Sequence, residues 1–245
     1  MKDSNNPQLQ DDDLQRRIQI LARWIFESKY LVVFTGAGIS TDSGLPDFRG
    51  PNGLWTLKAK GLPTESRDFS QAEPNINHYA VYELQVLNKL KFLISQNVDN
   101  LHLKSGIRPD LLAELHGNIT KVRCDNCEFT MDNFDDNIKC PVCSGTMSSS
   151  VVNFGQSLPR KDLEMATFHS RNCDLFIVIG SSLVVTPAAD LPRLAQEMGS
   201  KLVIINQGKT PLDNFCDLRF EEKIAEVLTP SLEILKSMLT NAKHN

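Results

Sequence analysis

The sequence predicts an α/β protein with a parallel sheet covered by helices on both faces. Three observations predict it. Short, almost uninterrupted apolar runs, such as Leu31–Thr35 and Lys201–Ile205, have the length of strands buried on both sides. Longer segments between them repeat their apolar residues at helical spacing. One stretch, from Val122 to about Met147, breaks this rhythm with cysteines, Asp and Asn, as a small inserted module would.

Taken in order, residues 1–13 are polar and acidic and are expected to form a disordered tail, with no apolar region to serve as a secretory signal. Leu14, Ile18, Leu21 and Ile25 give 14–28 a helical period. Leu31–Thr35 is a buried-type strand that runs into Gly36-Ala37-Gly38. A helix is expected over 76–90 and a strand over 92–95. Beyond the cysteine-rich stretch, 151–154 resumes apolar character. Helices are then expected over 158–171, 189–198 and 222–239, with strands over 174–179 and 201–205. The chain therefore divides into a tail at 1–13, a main domain of 14–121 and 148–245, and a module at 122–147.

Composition narrows the function classes. The 245 residues are 41% apolar and 23% charged, with net charge −4 and pI near 5.8. That balance gives no support to nucleic-acid binding. No apolar run approaches bilayer-spanning length, so no membrane partner is expected and an intracellular setting is.

A strand followed by glycines and a helix start lets backbone N–H groups approach a pyrophosphate. The dinucleotide fingerprint is incomplete here, since Thr41 stands three places after Gly38 and the next glycine is Gly44. Alone, the segment reads equally well as a tight turn. The following Gly44-Leu-Pro-Asp-Phe-Arg-Gly50 combines an acid, an aromatic and an Arg, which suits a loop that moves over a ligand.

Cys124 and Cys127, twelve intervening residues, then Cys140 and Cys143 supply four thiolates in two knuckles. Such a set suits tetrahedral zinc, and a closed four-cysteine site is structural. Cys173 and Cys216 stand apart and read as ordinary buried residues.

Polar or glycine-rich segments follow the strands: Ser95-Gln96-Asn97-Val98-Asp99, Gly180-Ser181-Ser182 and Asn206-Gln207-Gly208, with His116-Gly117-Asn118 just before the first knuckle. Ligands of open α/β sheets bind outside the carboxyl ends of strands, so these segments point to one crevice. His116 is the acid–base candidate, with an unperturbed pKa near 6.5.

These motifs occur in the order seen in sirtuins, together with Val152-Asn-Phe-Gly155, and the chain resembles that family over roughly 25–228. The resemblance implies a Rossmann-type domain, a small zinc domain and a cleft for NAD and an acyl-lysine peptide. It implies an NAD-dependent protein-lysine deacylase that transfers the acyl group to ADP-ribose and releases nicotinamide. Gly36, Ala37 and Gly38 would cradle the pyrophosphate, with Ser40 beside them. Asp47, Phe48 and Arg49 would belong to the mobile cofactor loop. Gln96 and Asn97 would position the nicotinamide ribose, Asp99 would hold the carboxamide, and His116 would be the general base. Gly180, Ser181, Ser182, Asn206, Gln207 and Ile224 would surround the adenosine. Val152, Asn153, Phe154 and Gly155 would pair with the substrate backbone as an added strand. Zinc on the four cysteines would stay out of the chemistry.

Two details refine the resemblance. Gly50-Pro-Asn-Gly-Leu-Trp-Thr56 is similar to the compact cofactor loop of the nuclear branch that includes long-chain deacylases and ADP-ribosyltransferases. No Arg lies three residues after Tyr79 or Tyr82, so the pair that reads acidic acyl groups in the desuccinylase branch is missing. Protein mono-ADP-ribosyl transfer and NAD hydrolysis are the alternative uses of the same cleft.

Overall fold

The computed structural model describes residues 7–47, 53–63, 69–133, 139–153 and 155–243. Helix α1 (Pro7–Glu27) leads into strand β1 (Leu31–Thr35) and a 3-10 turn at Ala37–Ser43. Helices α2 (Leu54–Ala59) and α3 (Ile76–Val86), strand β2 (Leu90–Ser95), helix α4 (Leu101–Lys104) and strand β3 (Leu112–Glu114) follow. Three short strands come next: β4 (Lys121–Cys124), β5 (Thr130–Asp132) and β6 (Met147–Ser149). The chain closes with α5 (Arg160–Asn172), β7 (Leu175–Ile179), α6 (Asp190–Glu197), β8 (Lys201–Ile205), β9 (Leu218–Phe220) and α7 (Ile224–Lys243).

Six strands form one sheet in the order β3-β2-β1-β7-β8-β9, and every pairing is parallel. From β1 the chain builds outward through β2 and β3, then crosses back to build the other half from β7. The reversal lies between β1 and β7, where open parallel sheets bind their ligands.

Alternation within β1 explains its continuous apolar run. Leu31 and Val33 pack with Ile18, Leu21 and Ile25 of α1 and Leu228 and Leu232 of α7. Val32 and Phe34 face the opposite core with Phe176, Ala166 of α5 and Leu191 of α6. Both faces are buried, so the only polar residue of the strand is its last, Thr35, whose hydroxyl lies 2.8 Å from His102 Nε2. Burying each such side chain stabilises the fold by about 1.5–3 kcal/mol.

Several boundaries differ from expectation. Helix α1 begins at Pro7, so 7–13, expected to belong to a tail, is helical. Helix α3 ends at Val86 rather than running to 90. Asn88 takes a left-handed φ of 56°, and the Lys89 N–H returns to the Leu84 carbonyl at 2.9 Å. That is a Schellman-type stop with Asn in the role usually given to Gly. The residues released by it lengthen β2 to Leu90. The glycine turn opens a 3-10 turn, not an α-helix.

Strands β5-β4-β6 form a separate antiparallel sheet. Lys121 on β4 reaches back to Glu114 on β3 at 2.7 Å, both side chains being mostly buried. No described helix is long and apolar enough to cross a membrane.

Candidate active site

The ends of β1 and β7 meet through backbone alone. The Gly36 N–H donates to the Ile179 carbonyl at 3.0 Å and the Gly38 N–H to the Gly180 carbonyl at 2.8 Å. A Cβ on Gly38 would sit 2.8 Å from Gly180 Cα, so the approach requires glycine. Ala37 is the residue of this turn whose N–H has no partner among the described residues. The outer glycines thus set the packing of the turn, and Ala37 presents the donor.

Behind the turn lies a saturated polar network. The Ser40 hydroxyl donates to Asp99 Oδ2 at 2.6 Å and accepts from Asn97 Nδ2 at 3.2 Å. His78 Nε2 lies 3.3 Å from the same oxygen, while His78 Nδ1 accepts the Asn75 N–H. In the neutral ring the proton is therefore on Nε2 and is donated to Ser40. Burial holds His78 neutral, pushing its pKa down to about 4. Burial raises the Asp99 pKa, opposed by the hydrogen bonds from Ser40 and the Leu101 N–H. Ser40 is buried with its hydroxyl fully committed, so it acts on Asp99 and Asn97 instead of facing the crevice. His78 belongs to none of the motifs that mark the site in the sequence. Its signal was local: Asn75 caps α3 and His78 is the third helical residue that closes the capping box.

Asn97 also donates to the Gly36 carbonyl at 3.2 Å, tying the end of β2 to the glycine turn. Gln96 Oε1 accepts from Ser181 Oγ at 2.6 Å, which bridges β2 to β7. His116, just past β3, is half-buried, and its Nδ1 lies 2.7 Å from the Gln96 carbonyl. A carbonyl only accepts, so Nδ1 carries the proton and Nε2 keeps its lone pair. Burial lowers the His116 pKa below 6.5, and the bond to Gln96 opposes that shift. Gly117 has φ +79°, and a Cβ there would meet the Ser150 carbonyl oxygen at 2.0 Å. The histidine is thus clamped between strand end and module.

Gln96 Nε2, Asn97 Oδ1, His116 Nε2 and Asn206 Oδ1 are among the side-chain atoms of the strand ends without partners in the described residues. None of them is among the fully buried unpartnered atoms, which are Asn77 Oδ1, His102 Nδ1 and Arg123 Nη1. They therefore reach solvent at the carboxyl ends of their strands. Ser181 is buried, Ser182 half-buried and Gln207 exposed; Ile224 opens α7 and packs on the α1–α7 core. Asp47 is half-buried, while Phe48, Arg49 and Phe154 lie outside the described residues.

The segment expected to pair with a peptide is partly engaged already. The Val152 N–H donates to the His116 carbonyl at 2.9 Å and the Asn153 N–H to Gln156 Oε1 at 2.8 Å. Gly155 is exposed.

The four sulfurs of Cys124, Cys127, Cys140 and Cys143 lie within 4.8 Å of one another. Three of their separations are 3.5–3.6 Å. A tetrahedron with Zn–S of about 2.3 Å has edges of about 3.8 Å, so the cage fits zinc and leaves no open position. The Cys127 backbone N–H helps draw the Cys124 thiol down to about 7.

A profile of the Sir2 family matches residues 62–187. The NAD-dependent protein deacetylase SRT1 of Arabidopsis thaliana is 42% identical over 235 residues, covering 91% of this chain and 50% of that protein. NAD-dependent protein deacetylase 1 of Bradyrhizobium diazoefficiens is 40% identical, covering 89% of this chain and 96% of that protein. The chain thus spans about half the length of the plant relative and nearly all of the bacterial one. A solved complex of Sir2 with a p53 peptide and NAD+ superposes with TM-score 0.72 at 33% identity, over 89% of this chain and 98% of that one. A Sir2 bound to acetylated peptide superposes with TM-score 0.70 at 32% identity, over 89% and 98%. With a bacterial relative matched almost end to end and the same fold in solved structures, one assignment follows: this chain belongs to the Sir2 family, the sirtuins.

Proposed function

We propose that this chain is an NAD-dependent protein-lysine deacylase that moves the acyl group of acyl-lysine onto ADP-ribose. One observation carries the reading. The His116 imidazole is fixed as its Nδ1–H tautomer by the Gln96 carbonyl, and its Nε2 has no partner among the described residues. NAD, when bound, supplies an electrophilic anomeric carbon, and the acyl oxygen of the substrate supplies the nucleophile. The protein therefore has to orient, exclude water and take a proton.

His116 Nε2 accepts a proton from a ribose hydroxyl. Asn97 Oδ1 and Gln96 Nε2 orient that ribose, and Asp99 holds the carboxamide from a dry pocket. Ala37 presents its N–H to the pyrophosphate. Gly180, Ser181, Ser182, Asn206, Gln207 and Ile224 line the adenosine end. Asp47, Phe48 and Arg49 form the covering loop. Val152 to Gly155 receives the substrate backbone through groups its internal bonds leave over. The four cysteines hold zinc as a structural ion in a module at 122–147.

The test incubates zinc-replete protein with NAD and lysine peptides acylated from acetyl to myristoyl, following nicotinamide and free peptide by mass spectrometry. Equal amounts of both products are expected, with His116→Ala lowering peptide release by about 100-fold or more. Nicotinamide without free lysine would replace this reading by ADP-ribosyl transfer or NAD hydrolysis.

A further inference from the structure

We propose that Arg219, on edge strand β9, is a positioning residue that sets the adenosine end of the crevice through Asn206. The inference rests on the adenosine placement given above.

Its guanidinium is one of the most heavily bonded groups in the molecule. Nε donates to Asp213 Oδ1 at 2.9 Å, Nη1 to the Asn206 carbonyl at 2.8 Å and to the Phe220 carbonyl, and Nη2 to the Gly208 carbonyl at 2.5 Å. The remaining Nη2 proton has Glu221 Oε1 within 3.7 Å. Asp213 is itself held by the N–H and hydroxyl of Thr210. One side chain, 18% exposed, thus gathers the Asn206 and Gly208 carbonyls at the start of the loop between β8 and β9.

The consequence falls on Asn206. Its Nδ2 donates to the same Gly208 carbonyl that Arg219 holds, at 3.1 Å. The amide orientation is thereby fixed, and Oδ1 is left as the outward acceptor, the polarity a ribose hydroxyl needs. Lys could keep the charge near Asp213 but not the planar fork that spans three carbonyls. Arg219 is committed to the loop and does not itself touch the ligand.

The experiment compares wild type, Arg219→Lys, Asn206→Ala and the double variant, measuring ADP-ribose affinity by titration calorimetry and the KM for NAD and kcat on an acyl peptide. Expected is an approximately tenfold weaker ADP-ribose affinity and a matching rise in KM for NAD in Arg219→Lys, with kcat at saturating NAD unchanged. The double variant should bind no worse than Asn206→Ala, since the arginine acts through the asparagine. Asp213→Ala, which removes the acceptor of Nε, serves with the same readouts if Arg219→Lys does not fold. Unchanged ADP-ribose affinity, additive losses, or a parallel fall in kcat would overturn the inference. Wild type that fails to bind ADP-ribose would instead overturn the functional reading and take the inference with it.

Discussion

At the scale of single residues, the site is governed by which hydrogen-bonding atoms are already committed. Ser40 has its donor and both acceptor directions committed, so its effect is exerted on Asp99 and Asn97. His116 has one nitrogen committed and one open. Because burial lowers its pKa below 6.5, more than half of the molecules hold the neutral base at pH 6.5. The acid limb of kcat/KM for deacylation should therefore turn below pH 6.5. A pH–rate profile turning above that value would sink the assignment of His116 as a buried base. Two roles at this scale could not be read from the sequence. Gly36 and Gly38 look like phosphate-cradling donors, yet their N–H groups are taken by the end of β7, and only the three-dimensional approach shows it. His78 is invisible as a site residue because it lies 38 positions from its partner Ser40.

Among the elements, the four-cysteine module bears directly on His116. Strand β4 pairs with β6, and Ser150, one residue beyond β6, exchanges hydrogen bonds with the backbone of Asn118 at 3.0 and 2.8 Å. Asn118 in turn donates to Glu114 and Asn100, flanking His116 and Asp99. Folding energy in such modules comes largely from the metal. Stripping zinc with a strong chelator should abolish amide-exchange protection of β4 and β6 and reduce deacylation with it. Protection that survives complete metal removal would contradict the structural role. Helix α3 shows the limit of periodicity at this scale. Apolar spacing continues through Leu87 and Leu90, while the actual stop is set by one left-handed Asn, which local pattern counts do not weigh.

For the molecule as a whole, the central strands were legible because a sheet covered on both faces needs uninterrupted apolar residues. The runs Leu31–Thr35 and Lys201–Ile205 coincide with β1 and β8 at both ends. Edge strands β3 and β9, three residues each, carry too little pattern to separate from loop. Yet β3 leads to His116 and β9 carries Arg219, so the less legible strands support much of the site. The two cores on either side of the sheet should behave independently. Leu21→Ala perturbs one and Phe34→Ala the other, each destabilising by about 2–5 kcal/mol. Urea unfolding of the double variant should give the sum within about 0.5 kcal/mol, and a larger discrepancy would mean the sheet transmits strain between layers. One feature of the site has a bearing on how the family can drift. The histidine tautomer is held by the main-chain carbonyl of Gln96, an atom that every amino acid supplies. Substitution at position 96 can retune what the crevice grips without altering which nitrogen of His116 is basic. The chemistry is thereby heritable through the path of the backbone, and recognition is left open to mutation.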